Sequence, residues 1–163
     1  MILLAAASRL APHPPNFSPV AALALFGGVQ FADRRLAFAV PLAVMFLSDL
    51  IIGLHALIPV VYGSFLLIVG LGIWLRHHRN VRWITGATVI SAVLFYVTTN
   101  FGVWILDDLY PKMFTGLAEC YVAALPFLRN AVFGNLFFSA LLFGGLALAE
   151  TRFAQLREGN VTA

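Results

Sequence analysis

Tyr96, Asn100 and Trp104 recur at intervals of four in an otherwise apolar stretch. On a helix that spacing makes one stripe. Aromatic rings and an amide in line suit the face and edge of a flat heterocycle. Thr98 and Thr99 flank the stripe, Asp49 interrupts another apolar run, and Asn135 lies about one turn inside a third. Polar side chains in such runs are costly, about 2.5–3.5 kcal/mol for a mid-membrane Asp, so each needs a reason. The connecting segments add His13, Asn16, His55, Tyr110, Lys112, Cys120, Tyr121, Arg129 and Asn130. The candidate solute contacts are Asn16, Asp49, His55, Tyr96, Asn100, Trp104, Tyr121, Arg129 and Asn130. Tyr110, Lys112 and the Cys120 thiol are assigned to a lid above them.

Each of these residues also has a structural reading. Asp49 can cap the neighbouring turn or pair with Arg129. The Tyr96–Asn100–Trp104 stripe can be helix packing with an interfacial indole. His77 and His78 sit among arginines and read as headgroup contacts. His13, His55 and Cys120 lie in separate segments, and nothing in their spacing makes three or four ligands converge, so no metal site is expected. No cofactor and no catalytic constellation is visible. The zinc-peptidase H-E-x-x-H and the G-x-S-x-G elbow are both missing. Lys112, the one lysine, sits in Tyr-Pro-Lys-Met, so there is no G-x-x-x-x-G-K-[ST] phosphate loop.

The elements that must hold these groups follow from hydropathy. Leu36 to Leu75 is forty residues with one charged side chain, Asp49. About 20 residues cross a hydrocarbon core, so this run predicts a hairpin of two membrane helices. Its turn is Gly53-Leu54-His55-Ala56, between spans 36–54 and 57–75. Phe17 to Ala32 is a marginal span, closed by Asp33-Arg34-Arg35. Trp83 to Leu106 is a single span, and Ala131 to Ala149 is the last. Between those two, Met113 to Leu125 reads as an amphipathic or re-entrant helix, at about 112–126, with Pro126 ending it. Asn130 is placed to cap the final span. Met1 to Leu10 is apolar but supplies only half a helix, so a short first helix or a start upstream of this Met is expected. The predicted fold is an all-α polytopic bundle of about six helices, one integral membrane domain over residues 1–163.

Composition agrees, with 61% hydrophobic and 10% charged residues and a mean hydropathy of +0.93. Soluble domains carry about 25% charged residues. The net charge of +3 comes without a basic run interleaved with aromatics, which argues against a nucleic-acid surface. A single cysteine excludes an intrachain disulfide. Arg34, Arg35, Arg76, Arg79, Arg82, Arg152 and Arg157 fall on one side of the predicted spans, and Arg9, Lys112 and Arg129 on the other. That split places the first set, with both termini, in the cytoplasm. The polar and aromatic residues then gather in a cup open to the outside, with the 107–130 segment as its lid.

Several blocks resemble a family of small bacterial membrane proteins described as candidate transport proteins. They are Pro12 to Pro19, Ala21 to Gly28, Phe46 to Gly53, Thr99 to Trp104 and Tyr121 to Asn130. That family is in turn similar in layout to the substrate-capture subunits of energy-coupling-factor vitamin transporters. The resemblance implies a six-helix bundle in the bacterial inner membrane that takes a small organic nutrient or vitamin-like solute from the outer face. It also implies an energising ATPase or transmembrane coupling module in trans. The competing reading is a membrane-embedded assembly subunit with no small ligand. An enzyme is not expected.

Overall fold

The computed structural model describes residues 14–152. The short apolar segment before Pro12, Arg9, His13 and the tail with Arg157 lie outside the described residues. Six helices and no strand occur among the described residues: α1 Val20–Gln30, α2 Arg34–Ile52, α3 Ile58–Leu75, α4 Val81–Leu106, α5 Phe114–Ala123 and α6 Leu125–Arg152. The protein is all-α. α2, α3, α4 and α6 are each long and apolar enough to cross a membrane. Large apolar side chains such as Leu50, Ile51, Leu67, Ile90, Phe133 and Leu141 point outward. That is the surface of a protein whose solvent on those faces is hydrocarbon.

Local chemistry sets the ends. Asp33 and Asn80 cap α2 and α4, accepting from Arg35 N–H at 2.8 Å and Trp83 N–H at 2.9 Å. Gly53 closes α2 with φ 109°, a conformation that strains any residue with a Cβ. His55 follows in the exposed turn, and the chain returns as α3. The hairpin therefore turns where it was expected to.

Three expectations are corrected. The marginal span over 17–32 shortens to α1, only 11 residues or about 16 Å of helix. Pro19 stands at its front, and the backbone is extended at Phe31. Second, Pro126 does not end the re-entrant helix. α5 stops at Ala123, and Pro126 is the second residue of α6. Proline fits there because the first helical N–H groups have no intrahelical partner. Third, Asn130 is not a cap. It lies inside α6, and its Nδ2 donates to the Pro15 carbonyl at 3.1 Å.

The short α1 is the centre of the bundle and packs against α2, α3, α4 and α6. Val20, Leu25 and Val29 of α1 form a core with Val44 and Met45 of α2 and Phe65, Ile68 and Val69 of α3. α1 and α3 approach backbone to backbone at Gly28 and Gly72. The C-terminal carbonyls of α1 would be orphans inside an apolar bundle. Arg76 meets them: Nε donates to Gly28 O at 2.7 Å and Nη2 to Phe31 O at 2.5 Å. Arg79 Nη2 adds a bond to Val29 O at 3.3 Å.

Candidate functional site

The helices alternate in direction, so one end of the bundle gathers Arg34, Arg35, Arg76, Arg79, Arg82 and Arg152. The opposite end gathers the α1 entry, the Gly53 turn, the α4 exit and the start of α6. Each end holds a cavity.

At the far end a cavity of about 200 Å³ lies among α1, α2, α3, α4 and α6. Its polar wall residues are Asn16, Ser18 and Asn135, and its apolar ones include Met45, Phe65 and Phe95. Phe65 and Phe95 have ring centroids 5.5 Å apart. Asn135 is only 3% exposed. Its Nδ2 donates to Ser91 Oγ at 3.3 Å, and its Oδ1 accepts nothing among the described residues. Asn16 sits at the mouth with φ 63°, the left-handed region that asparagine tolerates. The segment bearing it is held by the Asn130–Pro15 bond and by the Phe17 ring, 5.6 Å from that of Phe138.

The second cavity, about 660 Å³, opens at the arginine-rich end between α4 and α6, against the ends of α1 and α3. Arg79 and Glu150 line it with Thr85, Thr88 and Ser139. A buried polar seam joins the two. Asn135 bonds Ser91, Ser91 Oγ donates to Thr88 O at 2.8 Å, and Thr88 Oγ1 donates to Ser139 Oγ at 3.1 Å. Asn135 is on the first wall, and Thr88 and Ser139 are on the second. Thr88, Ser91 and Ser139 were not among the candidates. Their signal was present as small polar residues at i, i+3 on α4 facing i, i+4 on α6.

The candidates named from sequence fall in three places. Of them, Asn16 alone is on the wall of the first cavity. Tyr96, Asn100 and Trp104 do form one stripe, but it faces α5. Tyr96 Oη donates to Tyr121 O at 2.5 Å, Cys120 Sγ to Asn100 O at 3.4 Å, and Trp104 Nε1 to Pro111 O at 2.9 Å. Tyr121 Oη returns a bond to Val97 O at 2.7 Å. Asn100 Nδ2 is spent on Tyr96 O of its own helix, at 2.8 Å. Lys112 Nζ donates to the carbonyls of Trp104 and Asp107, closing the α4 C-terminus. The α5 segment therefore lies along α4 and contributes no wall to either cavity, which corrects the expected lid. Tyr110 lies in its approach loop, and Arg129 is exposed on α6.

Asp49 is 2% exposed and accepts from Tyr62 Oη at 3.0 Å. It bonds across the hairpin and is not on the cavity wall. The expected common space for Asp49, Asn100 and Trp104 is therefore not formed. His55 stays in the exposed turn. Burial pushes the Cys120 thiol up from its ordinary value, and Tyr121 is raised by burial first and then by Cys120 and Tyr96. Neither is poised as a nucleophile. No group of three or more His, Cys, Asp or Glu that could hold a metal occurs among the described residues.

The chain belongs to a family of unknown function, DUF6580, which matches residues 1–156. No curated protein and no solved structure matches it.

Proposed function

We propose that this protein is a membrane transport protein of the substrate-capture kind, which takes a small organic solute from the outer face of the bacterial inner membrane. The observation that carries the reading is Asn135, a buried amide with an open acceptor on the wall of a cavity at the far end. That acceptor is reached from the cavity and is not sealed in the packing, so a polar solute entering there can complete it in place of water. The arginine distribution orients the bundle, with the arginine-rich end in the cytoplasm. The first cavity then faces outward and the larger one inward. The seam between α4 and α6 supports passage over storage, because it offers hydrogen-bonding groups from one chamber to the other. Lys112 is engaged at the end of α4, so no phosphate loop is available. The energy for release is assigned to an ATPase-driven coupling partner, or to movement of α6 against α4 down the solute gradient.

The test is uptake in cells that depend on this protein for a nutrient, comparing wild type with Asn135→Leu and Asn100→Leu. Loss of the Asn135 acceptor is expected to weaken capture by about 1–3 kcal/mol, or roughly 5- to 150-fold. Asn100→Leu, which loses only a bond within its own helix, is expected to transport normally. Normal uptake by Asn135→Leu would place the capture site elsewhere. Deletion without any effect on uptake would favour an assembly subunit.

A further inference from the structure

We propose that the outer cavity selects a small, uncharged solute with a hydrogen-bond donor and rejects ions. The inference rests on the capture reading and names its substrate class. Among the described residues the wall carries three polar side chains, Asn16, Ser18 and Asn135, and none with a charge. Asp49, the nearest acid in sequence to the wall residues Met45 and Ile52, gives its carboxylate to Tyr62 instead. Ser18 Oγ is already an acceptor for Val20 N–H at 3.3 Å. The open group on a buried wall residue is the Asn135 Oδ1, which calls for an N–H or O–H donor on the ligand, while the exposed Asn16 amide and the Ser18 hydroxyl proton add donors on the same wall. Met45, Phe65 and Phe95 share the wall and suit an apolar body. An ion entering this wall would lose its hydration and gain no counter-charge, in surroundings of low dielectric. Size points the same way. A cavity of about 200 Å³ is room for about six or seven waters at roughly 30 Å³ each. That suits a small amide-like or polyol-like molecule.

The experiment is saturation-transfer NMR on the purified full chain in nanodiscs, with a panel of acetamide, N-methylurea, glycerol, acetate and methylammonium. The expected result is saturable binding of at least one neutral member and of neither ion. Affinity for that member should fall at least about tenfold in Asn135→Leu and be partly kept in Asn135→Ser. Asn135→Asp, nearly isosteric, keeps an acceptor there and should retain the neutral member while gaining methylammonium. If that variant fails to fold, the wild-type panel and the serine variant decide. Saturable binding of acetate or methylammonium to wild type, with no neutral member binding, overturns the substrate class and leaves capture standing. Where no panel member binds, the charge of the compound released from the purified protein decides the class in the same way. No binding and no released compound would overturn both.

Discussion

Asn135 Nδ2 lies 3.3 Å from Ser91 Oγ, and that one bond is where the first cavity meets the seam leading to the second. Beyond it, Thr88 and Ser139 stand on the wall of the second cavity, at the arginine-rich end, 3.1 Å apart. Under the proposed transport function, capture and release rest on different residues. Thr88→Val and Ser139→Ala remove the inner bond without adding bulk. They are expected to leave solute retention unchanged and to slow uptake several-fold, since one such bond contributes about 1 kcal/mol, or roughly fivefold. Retention on the purified protein and uptake in cells are the two measurements. Equal loss of both would remove the distinction.

Gly28 and Gly72 let α1 and α3 touch. A Cβ on Gly28 would stand 2.5 Å from Val69 O and 2.8 Å from Gly72 Cα, both backbone atoms that cannot swing aside. Gly28→Ala is expected to lower stability by about 1–3 kcal/mol, read as a lower unfolding temperature in detergent. Gly63→Ala is the control, because a Cβ there meets nothing within 4 Å. It should be neutral or slightly stabilising.

Arg76 replaces the water that the C-terminal carbonyls of α1 would otherwise need. Arg76→Leu leaves Gly28 O and Phe31 O unpaired at the arginine-rich end. A cost of about 1.5–3 kcal/mol is expected. Arg76→Lys should recover only part of it, because an ammonium lacks the planar fork that reaches two carbonyls at once. Thermal unfolding of the three proteins side by side checks the order.

Cys120 is 2% exposed, donates to Asn100 O and has its pKa raised by burial. The native thiol should resist N-ethylmaleimide at neutral pH and also at pH values where an exposed thiol is ionised. Detergent-denatured protein should react fast. The stability consequence has a definite sign. Below the ordinary thiol value both states are protonated, and this group's contribution is fully present. As pH rises the unfolded thiol releases its proton first, so the contribution is lost through the raised native value. Rapid native labelling at pH 7 would contradict the packing of α5 on α4.

Depth was legible in the sequence and azimuth was not. The hairpin over 36–75 and its turn at Gly53 follow from hydropathy and local chemistry. Position along a helix follows from 1.5 Å per residue. Which way a residue faces normally follows from amphipathic period. In α4 and α6 the lipid face and the core face are both apolar, so that period is nearly erased. Tyr96, Asn100 and Trp104 share one face of α4, as their spacing predicts, but that face meets α5 and its approach loop and not a cavity. Thr88, Ser91 and Ser139 were overlooked because hydroxyls this small barely alter hydropathy. Pro126 was misread because proline ends one helix and begins another with the same ring, and only the packing of Leu125–Arg152 decides.

Mass spectrometry of the small molecules released from purified wild type, Asn135→Leu and Asn100→Leu tests the capture site most directly. A neutral compound, enriched over membranes lacking the protein, should come off wild type and Asn100→Leu in similar amount. Asn135→Leu should retain it about 5- to 150-fold more weakly, the range for one bound donor left unpaired. Equal retention by Asn135→Leu, or no enriched compound from any of the three, would contradict the account.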